Sequence, residues 1–389
     1  MGKTKIVNVG LMLSGDVSAP RIEAETLLVE NDVIAALGAD ADVPEAEVDL
    51  VIDANGCALT PGLIDSHVHP VLGDFTPRQR QVDFLDSELH GGVTTAISAG
   101  EVHLPGRPKD PAGVKALAIL AARSFAAFRP GGMKVKGGAV ILEPGLTEAD
   151  FAEMAAQGVR TVGEIGLGAV KRPEDARPMV EWAKRHGMVV LMHMGGTSIP
   201  GSSTVTAEQV LAAGADVACH TNGGPTAVSP EEISAVIRGS DIFVEIVHCG
   251  NPRMAVHAAR EAMDAGALHR VIIGNDAPSG TGVIPLGVQR VIAHVSSLAD
   301  VDPAVAIAWA TGNTARCHGL PQGRIAPGAP ADLVFCDAPM GSVGDDLLAA
   351  YRAGDTPGVS VILVDGKIVV TKSRNTPPPK RAAVVRDRT

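Results

Sequence analysis

Pro61-Gly62-Leu63-Ile64-Asp65-Ser66-His67-Val68-His69 carries the decision about the fold. Residues 63–69 read as a short buried strand, opened by the breaker pair Pro61-Gly62. Alternate side chains of a strand share a face, so His67 and His69 point the same way at its C-terminal end. Two imidazoles so placed can hold one metal ion. By itself the pair is a weak signal. With twelve histidines, an HxH arises by chance in roughly a third of chains of this length.

Working outward, apolar runs recur over 93–99, 135–141, 161–166, 189–193, 216–220, 243–247 and 271–276. Helix-start signals separate most of them: Thr147 with Asp150 as a capping box, Pro173-Glu174-Asp175, and Pro230-Glu231-Glu232. Eight strands alternating with helices predict an α/β fold, a TIM-type (β/α)₈ barrel. Doubly wound sheets alternate similarly. Gly163-Glu-Ile-Gly-Leu-Gly168, however, lacks the glycine spacing of a dinucleotide-binding turn, which weakens that choice.

Both ends of the chain have a different texture. Short β-type runs occur over 5–9, 24–30, 33–37 and 51–55, and again over 332–336, 359–364 and 367–371. Asp365-Gly366 between the last two is a hairpin signal. We expect a small β-sandwich domain formed by both termini, residues 1–60 and 325–389, beside a hydrolase barrel over 61–324. The basic, Pro-flanked tail with Lys380, Arg381, Arg386 and Arg388 is expected to be an exposed or subunit-crossing arm.

Composition narrows the partners. The 389 residues carry a net charge of −11, which argues against a nucleic-acid partner, because phosphate binding needs a basic face. A small anionic substrate needs only one or two local cations. Cys57, Cys219, Cys249, Cys317 and Cys336 form no CxxC pair, so reduced thiols and a cytoplasmic location are expected. No secretory signal or membrane-spanning run is visible.

Position gives the HxH pair its weight. Glu164, His193, His220 and Asp276 fall at or near the ends of the fourth, fifth, sixth and eighth strand candidates. Barrel active sites gather where such strand ends converge. Each residue also has an ordinary alternative: Glu164 a buried carboxylate paired with a lysine, His193 a core histidine, Asp276 a helix cap. Six coincident ligand types favour a metal site. His90, His186, His257, His269, His294 and His318 lie on expected helices, away from that face. His103 and His248 follow strands toward it and are candidates for a supporting or substrate contact.

The opening stretch, followed by Gly91-Gly-Val-Thr-Thr95, resembles the start of the amidohydrolase superfamily. Gly312-Asn-Thr-Ala-Arg-Cys-His-Gly-Leu320, Gly323-Arg-Ile325 and Gly328-Ala-Pro-Ala-Asp-Leu-Val334 resemble its close. Members often bridge two metals with a carboxylated lysine on the fourth strand, and this chain has Glu164 there. Glu164 is similar to the branch that opens a cyclic enamide, 6-oxo-1,4,5,6-tetrahydronicotinate, in bacterial nicotinate fermentation. So are Gly106–Asp110, Gly195–Ser203, Asn222–Ala227, Gly274–Gly282 and Ser373–Pro378. That resemblance implies two divalent metals per chain, zinc and iron or two zinc, in a homotetramer, with 2-formylglutarate and ammonia as products.

On this reading His67, His69 and Asp276 hold one ion, His193 and His220 the other, and Glu164 both. Imidazole and carboxylate ligands suit either metal. A hydroxide between the ions is the expected nucleophile, and Asp276 is expected to shuttle its proton to the leaving nitrogen. Arg107 and Lys109, in the loop after the second strand, are candidates for a substrate carboxylate, with ordinary surface charge as the alternative. Thr197, Ser198, Asn222 and His248 are candidate substrate contacts. Alternative activities are hydrolysis of another cyclic amide or imide, as in hydantoinases, a deaminase or phosphoesterase, or an inactive scaffold.

Overall fold

A computed structural model describes residues 2–70, 80–197, 203–224, 226–279 and 282–387. Its centre is a ring of eight parallel strands: β1 Leu63–Val68, β2 Val93–Ser98, β3 Lys134–Lys136, β4 Thr161–Ile165, β5 Val189–His193, β6 Val217–Cys219, β7 Phe243–Val247 and β8 Val271–Gly274. Hydrogen bonds join them as β3-β2-β1 and β4-β5-β6-β7-β8. Two seams close the ring. Val140 bridges Val162 beside β4, and Val68 bridges Ala277 beyond β8. At the second seam Asp276 N donates to His67 O at 2.8 Å and His69 N to Ala277 O at 2.9 Å. The backbone that closes the barrel therefore sets Asp276 beside the HxH pair.

The third strand is shorter than the apolar run over 135–141 predicts. Gly138 has φ +87°, and a Cβ there would lie 2.3 Å from the carbonyl oxygen of Ala118. The chain turns closely against a helix at that point, which ends the strand; it rejoins the ring only through Val140.

Helices α1 Arg80–His90, α2 Pro111–Ala127, α3 Glu148–Ala156, α4 Pro173–Arg185, α5 Ala207–Ala213, α6 Pro230–Gly239, α7 Pro252–Asp264 and α8 Gly287–Leu298 are among those that cover the ring. Their starts follow the local chemistry. Asp110, Ser229 and Asn251 accept hydrogen bonds from first-turn amides, and Thr147 with Asp150 forms the expected capping box. The inner face of α7 buries Met254, Ala255, Ala258, Ala259 and Ala262, a helical spacing of mostly small residues that lets it sit close to the strands. Val, Ile, Ala and Met fill most of this core.

The two β-rich ends form a sandwich. One sheet runs 384–387, 50–53, 3–7, 27–30, 33–37, and the other 367–370, 358–364, 333–337, 58–61, 11–13, 21–22. Ile6, Leu27, Ile34, Leu59, Phe335 and Leu363 meet between them. Asp365 (φ +48°) and Gly366 (φ +70°) make the predicted hairpin turn.

The tail departs from expectation. Val384–Asp387 pairs antiparallel with Leu50–Asp53 as an edge strand. Arg381 clamps the buried Asp337 through Nε and Nη2, and Arg386 pairs with Asp53. Lys380 Nζ also donates to Gly344 O at 2.9 Å, so the described part of the tail lies along the sandwich, while Arg388 lies outside the described residues. No helix among the described residues is long and apolar enough to cross a membrane.

Candidate metal centre

Six side chains converge at the C-terminal mouth of the ring. His67 is the last residue but one of β1 and His69 the first beyond it; Glu164 lies in β4, His193 ends β5, His220 follows β6, and Asp276 lies two residues past β8. All but Asp276 are at most 3% exposed. His220 (φ +32°) and Asp276 (φ +59°) both hold left-handed backbone that non-glycine residues seldom adopt. Such a conformation costs about 1–3 kcal/mol and persists where the surroundings enforce it.

The imidazole orientations follow from their partners. His69 Nδ1 donates to the carbonyl oxygen of Gly100 at 3.0 Å, and His67 Nδ1 donates to Glu245 Oε2 at 2.8 Å. Both rings thus give their neutral-form proton away on the Nδ1 side, leaving Nε2 of each as an acceptor. These two nitrogens lie 3.1 Å apart. Two facing lone pairs in a dry pocket repel unless a cation lies between them. His193 repeats the pattern: Nε2 donates to Gly196 O at 3.0 Å, and the buried Nδ1 makes no hydrogen bond.

Glu164 forks between the two pairs. Its Oε2 lies 3.4 Å from His67 Nε2 and 3.3 Å from His69 Nε2. Its Oε1 lies 2.7 Å from His220 Nε2 and 3.8 Å from His193 Nδ1. Asp276 Oδ1 joins the first group, 3.6 Å from His67 Nε2 and 3.3 Å from His69 Nε2. Ligand atoms of His67, His69 and Glu164, and likewise of Glu164, His193 and His220, are close enough to hold an ion each. The donor set of imidazoles and carboxylates fits two divalent ions sharing one carboxylate.

Electrostatics agree. Burial opposes charge on His67, His69, Glu164, His220 and Asp276. Yet Glu245, Glu164 and Asp276 hold the His67 ring well above the ordinary histidine value, and hydrogen bonds donated by its protonated ring to Asp276 and Glu164 raise His69 to about 9. Against the same burial, His67 and His220 hold Glu164 well below the usual carboxylate range. The cluster demands positive charge, which protons or dications supply.

Glu245 is the residue that the motif search overlooks. It is fully buried and takes three hydrogen bonds: from His67 Nδ1, from Ser66 Oγ at 2.5 Å and from the amide of His220 at 3.1 Å. It therefore orients two candidate ligands at once. The signal was a lone carboxylate in the otherwise apolar run Phe243-Val-Glu-Ile-Val247. Cys219 approaches the same side of His67, but burial pushes its thiol well above the ordinary value, so it stays protonated.

The substrate-contact candidates scatter. Arg107 Nη1 pairs with the buried Glu143 at 3.2 Å, leaving its other nitrogens without a bond among the described residues, while Lys109 is exposed. Thr197 is exposed, and Ser198 lies outside the described residues. Asn222 is corrected to a brace. Its amide donates to Val247 O at 3.0 Å and Asn251 O at 3.4 Å and accepts from Val247 N at 3.0 Å, so it has little left for a substrate. His248 is also corrected: it lines a cavity between α7 and α8 that none of the six borders. His103 does approach, its ring 5.4 Å from that of His69.

Comparison with known proteins accords with this geometry. The chain is 56% identical to enamidase of Eubacterium barkeri, covering 99% of this chain and all of the relative. It superposes on a crystal structure of enamidase with a TM-score of 0.95, at 56% identity and the same coverage. A dihydroorotase of Pelotomaculum thermopropionicum is 24% identical over 88% of this chain and 91% of its own. The amidohydrolase family model matches residues 58–369, from the last strand before the barrel to the closing hairpin. With its ring of parallel strands, its flanking sandwich and this full-length likeness, the chain belongs to the amidohydrolase family and is a hydrolase of C–N bonds.

Proposed function

We propose that the chain opens the cyclic enamide 6-oxo-1,4,5,6-tetrahydronicotinate, giving 2-formylglutarate and ammonia. The observation that carries this is the forked carboxylate of Glu164 between two histidine pairs, in a chain with end-to-end likeness to an enamidase. His67, His69 and Asp276 would hold one divalent ion, His193 and His220 the other, and Glu164 both, with zinc and iron or two zinc as the pair. Such ions supply, when bound, an activated water and a polarised carbonyl.

The chain's own groups do the rest. Asp276 accepts at its carboxylate the proton given up by the attacking water and delivers it to the ring nitrogen as the C–N bond breaks. An amide nitrogen leaves poorly without that proton. The opened enamine tautomerises to an imine, and a second water releases ammonia and leaves the aldehyde. Arg107, steadied by Glu143, and Lys109 supply the positive charge for the substrate carboxylate.

The division into a barrel over 61–324 and a sandwich over 1–60 and 325–389 belongs to this proposal, as do a homotetramer and a cytoplasmic setting that suits five buried cysteines joined by no disulfide. The test is metal analysis paired with an ammonia assay on 6-oxotetrahydronicotinate. About two ions per chain and turnover of this ring are expected. Fewer than one ion per chain in active enzyme would overturn the binuclear reading. Preference for another cyclic amide or imide in a substrate panel would overturn the substrate.

A further inference from the structure

A cavity of about 280 Å³ opens between α7, α8 and the segment after the Leu347–Arg352 helix, lined among others by His248, Arg290, His294, Ser297 and Thr356. Among the described residues no aspartate or glutamate lines it. For a chain with a net charge of −11, a cavity walled by a guanidinium and two imidazoles is a local inversion of sign. The Arg290 guanidinium and the Thr356 hydroxyl have no hydrogen-bonding partner among the described residues. The His248 Nδ1 is buried and likewise unpartnered. His294 Nε2 donates to Pro252 O at 2.9 Å, which fixes its ring across the opening of α7. Burial, followed by the charges of Arg290 and His294, holds the His248 ring below its ordinary value.

A buried ring nitrogen without a partner costs about 1–3 kcal/mol, and the solvent-exposed Arg290 guanidinium beside it has no carboxylate competing for its donors among the described residues. Both facts are accounted for by a ligand with acceptor oxygens. We propose that this cavity is a second binding site, separate from the metal centre, for the oxyanion group of a small molecule, a carboxylate or a phosphate. Arg290 presents a planar fork to two of its oxygens, and Thr356 and His248 complete the contacts. The cavity admits a small organic acid or phosphate ester but not a polymer.

The test is calorimetric titration of the metal-loaded protein with inorganic phosphate and, separately, with acetate, on wild type, Arg290→Gln and His294→Gln. Arg290 is exposed on α8, so its replacement leaves the fold and metal content unchanged. Any anion that reaches the metal centre binds wild type and Arg290→Gln alike, and only the difference reports this cavity. We expect one site per chain for at least one anion, weakened about tenfold or more by Arg290→Gln and less by His294→Gln. Binding of phosphate alone identifies a phosphorylated ligand, and binding of acetate a carboxylate. Absence of any Arg290-dependent component for both anions, up to tens of millimolar, overturns the proposal.

Discussion

Replacing Glu245 with glutamine tests whether the buried carboxylate behind His67 governs metal affinity. The change is nearly isosteric, and the hydrogen-bond pattern can survive it. The new carbonyl oxygen can accept from His67 Nδ1 and the His220 amide, as Oε2 does now at 2.8 and 3.1 Å. The new NH₂ can donate to Ser66 Oγ, whose hydroxyl rotates to accept. What is lost is the negative charge that raises the basicity of His67. Changes of that kind lower metal affinity by about 10–100-fold, or roughly 1.4–2.7 kcal/mol. The assay is competition against a graded chelator, with bound metal counted per chain, and activity measured with and without added metal. Glu245→Gln should lose metal at lower chelator concentration and regain activity when metal is supplied. Glu245→Ala should also lower Tm, because it strands three buried donors, Ser66 Oγ, His67 Nδ1 and the His220 amide, at about 1–3 kcal/mol each. Unchanged chelator resistance in a folded Glu245→Gln protein would refute the reasoning.

Asp276→Asn should reduce kcat by about 10²–10⁴-fold while metal content falls far less, because the other five ligands remain; equal losses in both would show that Asp276 serves only as a ligand. Arg107→Ala should raise KM about 10–100-fold for the acid substrate and leave a neutral ring analogue unaffected. It also strands Glu143, so a Tm drop common to both assays is expected, and only the KM ratio tests recognition. His318 is half-buried, with a buried and unpartnered Nε2, and desolvation depresses its ring to about 4. The unfolded chain therefore takes up this proton first, near pH 6.5, so His318 adds an acid-side penalty that grows as pH falls from about 6.5 to 4. His318→Gln should flatten the fall of Tm across that window; an unchanged slope would assign acid sensitivity elsewhere.

The sequence made the ring of strands legible because apolar runs and helix caps recur with little ambiguity, and strand ends locate a barrel's mouth. The six convergent residues were legible for the same reason. The seam of β8 against β1, which sets Asp276 beside His67, depends on pairing between residues some two hundred apart, and no local signal carries it. The third strand looked longer than it is because its break comes from Gly138 meeting a helix. The tail reads as an exposed or subunit-crossing arm because four basic residues suggest solvent; of the three described, Arg381 and Arg386 meet Asp337 and Asp53. Asn222 and His248 follow strands toward the mouth, yet one braces the backbone and the other lines a separate cavity. Proximity to a ligand in sequence says nothing about which way a side chain turns after the strand ends.

The sandwich built from both chain ends has a consequence for biosynthesis. The strand Ala58–Pro61 pairs on one side with Leu333–Asp337, made roughly 270 residues later. At ribosomal speeds of about 5–20 residues per second, that edge waits on the order of 15–55 s for its neighbour. Meanwhile Leu59, Ile6 and Leu27, destined for the sandwich core, have half their cover missing. An unpaired apolar edge is an invitation to wrong partners. Aggregation of the nascent chain, more than instability of the finished enzyme, is therefore the expected point of failure in heterologous expression, and slower elongation should lengthen the exposure.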